Sequence, residues 1–331
     1  MADVRPYIVK PGDSVAEALA RVNANHRGAG VVVDGRRQVL GTVSDTDLRH
    51  ALMRGVDETA PVSSVMAKRL TRSGRLPIEI DVDNGKLVDV RPRPLDGPPP
   101  VAMVMAGGRG KRLRPYTDKV PKPLLKVGRS TIIERIMSDL AKAGVSDIYL
   151  SLNYKAKMFE QRLAHVEEHV GARVHFLLEE SPLGTAGSLS LLPDKPAGDV
   201  LVTNADIITR LQYARLFEFH RAHGGWATMT AVEHVTQIPY GVLRTRGDRL
   251  TAQEEKPEVR VRCNAGMYVL KPEVLKLVKR GQYLDMPTLL DRVTAKDEAV
   301  HVFPVVEKWI DSGTPEEFER VLIQFATGEE E

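Results

Sequence analysis

The residues with the most chemical potential lie in one stretch: Ala106-Gly107-Gly108-Arg109-Gly110-Lys111-Arg112-Leu113-Arg114-Pro115, then Thr117, then Pro121-Lys122-Pro123. Glycines at 107, 108 and 110 leave backbone N–H groups unobstructed, and a nest of such groups binds phosphate oxygens. This is not the dinucleotide fingerprint, because Arg112 stands where the third glycine would be. It is not a Walker loop either, since no Gly-Lys-Ser or Gly-Lys-Thr closes it. A polyphosphate can meet two cations here, Arg112 and Lys122. Arginine grips phosphate through two parallel hydrogen bonds, whereas lysine acts as a point charge. An exposed basic loop would explain the charge but not the glycines, prolines and leucine set among it.

Two isolated acids follow. Asp206 closes Thr203-Asn204-Ala205-Asp206 directly after an apolar strand, and the carboxyl end of a strand is where open α/β sheets bind ligands. Asp311 sits beside a glycine turn in Trp309-Ile310-Asp311-Ser312-Gly313-Thr314. Mg²⁺ accepts one or two protein carboxylates together with substrate phosphates and water. Taken singly, each aspartate reads equally well as a cap or turn residue. Further on lie Tyr240-Gly241-Val242, Glu255-Lys256-Pro257, Asn264-Ala265-Gly266 and Tyr283-Leu284-Asp285-Met286-Pro287. Cys263 has no obvious partner base and reads as a packing residue. His220 and His223, three apart on one predicted helix, read as a helix face rather than a metal pair.

Positioning these groups requires strands that alternate with helices. Strand-like runs occur at 101–105, 147–152, 174–178, 200–203, 227–232 and 267–270, and Thr131-Ile132-Ile133-Glu134 is a capping box opening a helix to Ala143. That alternation predicts an α/β fold, a Rossmann-like, mostly parallel mixed sheet with helices on both faces. At 331 residues the chain predicts two domains, and 42% hydrophobic residues suit a packed core. No apolar run approaches a membrane span, and the first 25 residues carry charges at helical spacing, so neither a signal peptide nor membrane association is expected. A single cysteine fits a cytoplasmic setting. The net charge is only +3 and evenly spread, with one dense basic stretch at Arg109–Lys126, which argues for a small polyanion and against nucleic acid.

Arg91–Pro100 holds five prolines in ten residues and predicts a semi-rigid linker between domains 1–90 and 101–331. Before it, the capping box Ser14–Glu17 opens a helix, strands near 29–33 and 38–43 flank the two-residue turn signal Asp34-Gly35, and Ser44-Asp45-Thr46-Asp47 starts a second helix. This α-β-β-α order, ending at Gly41-Thr42-Val43-Ser44-Asp45-Thr46-Asp47, resembles a CBS module, a small α+β unit. The resemblance implies an adenine nucleotide contacted by Ser44 and Asp47, although the same two residues can simply cap the helix. CBS modules work in pairs, and the second is abbreviated to 76–81, the turn 82–85 and 86–90. Association of such units through their helices makes a homo-oligomer the expected state.

The stretch from Gly107 to Thr117, followed by Pro121-Lys122-Pro123, is similar to the signature of the sugar-1-phosphate nucleotidyltransferases, and the resemblance runs through the rest of the chain. It implies a glycosyltransferase-A-like fold and transfer of a nucleoside monophosphate from a nucleoside triphosphate to a sugar 1-phosphate, with release of pyrophosphate. Ala106, Gly107, Gly108 and Gly110 would bind the nucleotide, while Arg112 and Lys122 would hold its phosphates. Asp206 and Asp311 would carry the catalytic Mg²⁺. Glu180-Ser181-Pro182-Leu183-Gly184-Thr185-Ala186-Gly187 resembles the base-binding segment, which assigns Glu180, Gly184 and Thr185 to the base. A carboxylate only accepts hydrogen bonds, and guanine offers N1–H and N2–H₂ side by side, so GTP is favoured over UTP or dTTP. Glu179 competes with Glu180, and either also reads as a solvated strand end. Gly241 would admit the sugar, Glu255 and Asn264 would bind its hydroxyls, and Lys256 would neutralise its phosphate. The residue types do not choose the sugar; the combination of a CBS segment with a guanylyl-type transferase resembles glucosamine-1-phosphate guanylyltransferases, with mannose 1-phosphate as the main rival acceptor. A nucleotide-sensing regulator without turnover and an assembly module are the competing readings.

Overall fold

The computed structural model describes residues 3–68, 76–92, 97–193 and 195–326. Positions 93–96 of the expected linker lie outside the described residues. No described helix is long and apolar enough to cross a membrane.

The N-terminal module comprises β1 (Ile8–Val9), α1 (Val15–Ala24), β2 (Ala29–Val33), β3 (Val39–Ser44) and α2 (Asp45–Met53). Helix α1 starts where Ser14 and Glu17 exchange cap hydrogen bonds, and its buried Val15, Ala18, Leu19 and Val22 share one face. They pack against Val9, Val32, Val43 and Leu48. The β2–β3 connection is longer than the expected two-residue turn. Val33 pairs with Val39, Asp34 Oδ1 accepts from the N–H groups of Arg36 and Gln38, and Arg37 takes a φ of 62°. The aspartate side chain thus organises a wider loop. Strands β4 (Ile78–Asp83) and β5 (Lys86–Pro92) are joined by Asn84-Gly85, both at positive φ, the conformation that matches strand twist. Their Ile78, Leu87 and Val90 close over Val4, Ala29, Val31 and Val33. A hairpin therefore covers the outer face of the small sheet.

The larger region opens with β6 (Val101–Met105), a short hairpin β7 (Lys126–Val127) and β8 (Ser130–Thr131), and α3 (Ile132–Lys142). It continues through β9 (Asp147–Leu152), α4 (Ala156–Arg162), α5 (Glu167–Val170), β10 (Arg173–Leu178) and α6 (Gly184–Gly187). Next come β11 (Val200–Asn204), β12 (Ile207–Thr209), α7 (Tyr213–His223), β13 (Ala227–Gln237), β14 (Gly241–Arg246), β15 (Arg249–Glu255) and β16 (Glu258–Leu270). Helix α8 (Met286–Thr294), β17 (Val300–Val305), β18 (Trp309–Asp311) and α9 (Pro315–Ala326) complete it.

Seven strands form one sheet in the order β10-β9-β6-β11-β16-β13-β17, and β16 alone runs against the others. Ile132, Ile136 and Leu140 of α3, Leu216 and Phe217 of α7, and Phe318 and Val321 of α9 cover one face. Met286, Leu289 and Val293 of α8, with Ala186 of α6, cover the other. The chain winds outward from β6 to β9 and β10, then returns to the opposite side of β6 with β11. The crevice at the carboxyl ends of β6 and β11 is consequently the switch point where such sheets bind ligands.

Strands β13 and β16 run past the sheet as a two-stranded ribbon, tipped by the β14–β15 hairpin. The apolar runs predict strands only at 227–232 and 267–270. The extension pairs Glu233 with Arg262 and Val235 with Arg260, all exposed. A hydrophobic run marks the part of a strand that is covered, and the ribbon has no second layer. Cys263 lies on this ribbon and is exposed rather than packed.

Candidate active site

A cavity of about 600 Å³ opens at that switch point, lined by the 105–112 loop, Lys122, Asn153, Glu179, Gly184, Thr185, Asn204, Asp206, Tyr283 and Asp285. The glycine loop begins as β6 ends, with the Ala106 N–H bonded to the Ser151 carbonyl at 2.9 Å. A side chain on Gly107 would press on Asn153 and on Glu179 Oε1, both 3.3 Å from the added carbon. Gly110 has a φ of 59° and its carbonyl accepts from Thr117 Oγ1 at 2.8 Å, so glycine is required to fold the loop back on itself. Leu113, fully buried, pins the loop to the core, which leaves Arg109, Lys111 and Arg112 facing the cavity.

Pro121 and Pro123 frame a single helical turn that carries Lys122 inward, with its side chain only 7% exposed. Its Nζ donates to Asp206 Oδ2 at 2.7 Å and stands 3.6 Å from Asp311 Oδ1. The two aspartates come together because β12 and β18 pair antiparallel, with Ile207 opposite Asp311. Ser312 fixes the corner, its Oγ donating to the Asp206 carbonyl at 2.8 Å. Asp311 Oδ1 is buried and has no hydrogen-bond partner. Burial first, then the Asp206 charge, pushes the Asp311 carboxyl above its ordinary range, with Lys122 opposing. Arg112 reaches the same corner, its Nη2 being 3.3 Å from where a Cβ on Gly313 would stand. Two carboxylates thus converge around one cation, an arrangement that suits a divalent ion shared with substrate phosphates. Among the described residues there is no cluster of three or more histidine, cysteine or carboxylate side chains that could hold a metal unaided.

The structure separates the two candidate glutamates. Glu180 is exposed and outside the described cavity lining, whereas Glu179 is buried and lines it. Glu179 Oε1 accepts from Ser151 Oγ at 2.5 Å, and Oε2 accepts from the Leu183 N–H at 2.9 Å. A strand's side chains alternate between faces, so adjacent glutamates at its end must diverge, and only one can enter the cavity.

The 184–187 turn is locked by the Tyr283–Pro287 segment. Gly184, at φ 77°, lets the backbone of Leu284 come close, where a Cβ would stand 2.6 Å from its carbonyl oxygen. Thr185 Oγ1 accepts from the Met286 N–H at 2.8 Å, and Tyr283 donates to Asp285 Oδ2 at 2.8 Å. Tyr283 and Asp285 thereby join the cavity wall.

Gly241, Glu255 and Lys256 are brought together at the base of the β14–β15 hairpin, where Gly241 pairs with Glu255, yet all three are exposed and outside the described cavity lining. Asn264 lies nearer. Its Nδ2 donates to Tyr268 at 2.6 Å and its Oδ1 accepts from the N–H of Gly266, where a Cβ would stand 2.7 Å from Nδ2 of the cavity residue Asn204. In the N-terminal module, Ser44 and Asp47 bond one another as the cap of α2: Asp47 N–H donates to Ser44 Oγ at 3.1 Å and Ser44 N–H to Asp47 Oδ2 at 3.0 Å. His220 bonds Thr228 and His223 bonds the Phe219 carbonyl, as helix-face residues do.

The pattern of the nucleotidyl transferase family matches residues 101–327, and that of the CBS domain matches residues 1–54. The chain belongs to the nucleotidyl transferase family and carries a CBS domain at its N-terminal end. A mannose-1-phosphate guanyltransferase of Saccharomyces cerevisiae is 35% identical over 228 residues, 65% of this chain and 62% of that one. Another from Pichia angusta is 36% identical over 228 residues, 65% of this chain and 61% of its own. The match thus spans less than two thirds of these relatives' length. The crystal structure of HddC from Yersinia pseudotuberculosis superposes with a TM-score of 0.53 at 24% identity, covering 69% of this chain and 99% of that one, and shares its fold.

Proposed function

We propose that this protein transfers a nucleoside monophosphate from GTP to a sugar 1-phosphate, releasing pyrophosphate. The observation that carries the reading is the Lys122 ammonium held between Asp206 and Asp311 at the mouth of the glycine loop. The relationship to mannose-1-phosphate guanyltransferases supports mannose 1-phosphate as the first acceptor to try.

In this reading the glycine loop's N–H groups hold the triphosphate, and Arg112 and Lys122 neutralise charge on the departing pyrophosphate. A sugar phosphate oxygen attacks the α-phosphorus in line. The bond from that phosphorus to the oxygen it shares with the β-phosphorus breaks as the new P–O–P bond forms, so one phosphoanhydride replaces another and the nucleotide sugar carries a pyrophosphate bridge. Such chemistry needs no covalent protein nucleophile, because positioning and charge neutralisation supply most of the catalysis. Asp206 and Asp311 would hold Mg²⁺, which supplies Lewis acidity at the reacting phosphates. Both must then be ionised, and Lys122 must release them and turn to phosphate as substrate enters.

Glu179 is the group that reads guanine, its two oxygens retaining lone pairs for N1–H and N2–H₂. Its structural bonds to Ser151 and Leu183 hold the carboxylate in one orientation. The ribbon would bring Glu255, Lys256 and Gly241 to the sugar side. Incubating the protein with GTP, mannose 1-phosphate and Mg²⁺ and weighing the products tests the proposal. A GDP-linked hexose and equimolar pyrophosphate are expected. GTP hydrolysis without sugar transfer, or bound but unchanged GTP, would reject it.

A further inference from the structure

The N-terminal module enters the transferase region through a guanidinium with no solvent exposure. Arg49, on α2, donates from Nε to Asp45 Oδ2 at 2.7 Å, one turn earlier on its own helix. Its Nη1 donates to the Pro304 carbonyl at 2.9 Å and to Glu307 Oε2 at 2.8 Å, and Nη2 bonds Glu307 Oε1. The Phe303 ring lies 4.6 Å below the guanidinium carbon. Asn23 of α1 reaches Glu307 as well, at 3.4 Å. Desolvating such a group is expensive, and it is tolerated only where its hydrogen bonds are made. Burial disfavours the Glu307 carboxylate, yet the Arg49 contacts outweigh it and hold Glu307 below its ordinary range, so the pair is ionised.

What Arg49 grips is the segment that leads to the second acid of the cavity. Pro304 is in β17, Glu307 follows it, and Asp311 is four residues further on, at the end of β18. Strand β18 is three residues long, and its pairing with β12 is supported by Trp309 Nε1 on the Ala265 carbonyl. The Asp311 side chain is 38% exposed and its Oδ1 has no hydrogen-bond partner. Apart from the Lys122 ammonium 3.6 Å away, its placement depends on the backbone that carries it.

We propose that Arg49 is a positioning residue of the transferase centre: by clamping Pro304 and Glu307 it fixes the entry into β18 and sets Asp311 against Asp206. The inference rests on the transferase reading of the cavity, with these two acids as divalent-cation ligands. It makes the N-terminal module a structural part of the catalytic centre, delivering one cation across the boundary between the two regions. Asp45, lying between the cap residues Ser44 and Asp47, ties the α2 terminus to the same clamp.

The test uses the full chain and Mn²⁺ as the probe, with free Mn²⁺ counted by its paramagnetic resonance in the presence of GTP. Arg49→Lys and Glu307→Gln should each weaken Mn²⁺ binding by about five- to tenfold, the range of coupling through a packed network. The KM for GTP should change by less than about twofold, since uniform binding at the glycine loop is untouched. Combining Arg49→Met with Glu307→Gln should weaken Mn²⁺ no more than either single change, because both remove one clamp. Folded variants with lowered melting temperature and unchanged Mn²⁺ affinity would reduce Arg49 to domain glue and overturn the inference. If Arg49→Met fails to fold, Arg49→Lys, which keeps the charge, and Glu307→Gln, which keeps the shape, decide it. Asp311→Asn is the control that separates the two claims. Undiminished Mn²⁺ binding in that variant rejects the metal reading and this inference with it, whereas loss there but not in the Arg49 variants rejects this inference alone.

Discussion

Replacing Glu179 by glutamine tests base recognition with little disturbance to the fold. The carboxylate sits between two donors, Ser151 Oγ at 2.5 Å and the Leu183 N–H at 2.9 Å. In the glutamine variant the amide oxygen keeps the Leu183 bond, and the Ser151 hydroxyl rotates to accept from the new amide. The structural cost should stay near about 1 kcal/mol, that of one ordinary hydrogen bond. For guanine the consequence is larger, because one of its two adjacent donors now meets an N–H₂ group instead of a charged oxygen. Loss of a hydrogen bond to a charged group costs about 1.5–3 kcal/mol, which becomes roughly a 10- to 150-fold fall in kcat/KM with GTP. Inosine triphosphate lacks the N2 amino donor and should lose less. Pyrophosphate release measured with both nucleotides gives the comparison, and Glu180→Gln, altered on an exposed side chain, serves as the control. A Glu179→Gln protein whose kcat/KM with GTP stays within about threefold of the parent would refute the argument, since that is less than one lost charged hydrogen bond.

Asp206→Ala should abolish pyrophosphate release while the protein still melts cooperatively; full activity in that variant would remove Asp206 from the proposed metal site. Burial lowers His220 to about 4 in the folded protein, against 6.5 for an ordinary histidine. The unfolded chain therefore binds this proton more readily, so stability is intact above about pH 6.5 and drains away as pH falls toward 4. At about 1.4 kcal/mol per pH unit, His220 alone accounts for about 2 kcal/mol between about pH 7.5 and pH 5. Urea midpoints at pH 7.5 and 5 should show that loss, and His220→Gln should flatten it; an unchanged slope would contradict the assignment. Ser44→Ala removes the reciprocal cap of α2 and should cost about 1 kcal/mol, seen as a lower urea midpoint, and no change would show that the cap is not formed.

The parts of this molecule that were legible in its sequence are those where local chemistry admits one solution. Ser14, Ser44 and Thr131 cap helices as their spacing predicts, because the glutamate or aspartate three residues on satisfies a backbone donor nothing else reaches. The apolar runs that became β6 and β11 are covered on both faces, so hydrophobicity marks them fully. The ribbon beyond Val232 is uncovered and so has no apolar run; its signal is the alternation of charged and apolar residues over Glu258–Cys263, which the apolar runs do not pick out. The choice between Glu179 and Glu180 depends on the pleat of β10 and on the Ser151 hydroxyl from β9, a tertiary neighbour that spacing does not reveal. Asp285 was present in a motif without a role, and only the packing of 283–286 on Gly184 placed it at the cavity. Arg49 gave no sign at all: a lone arginine on an amphipathic helix reads as solvated until its partners, more than 250 residues away, are seen.

The central claim is the reaction itself, and pyrophosphate release measured across GTP, UTP, dTTP, CTP and ATP, each crossed with several sugar 1-phosphates in Mg²⁺, addresses it most directly. The account predicts release that requires both substrates, with GTP far ahead of the others. Preference for UTP or dTTP would overturn the role given to Glu179. Absence of release with every pair, from folded protein that binds nucleotide, would contradict the transferase reading and leave a nucleotide-sensing protein in its place.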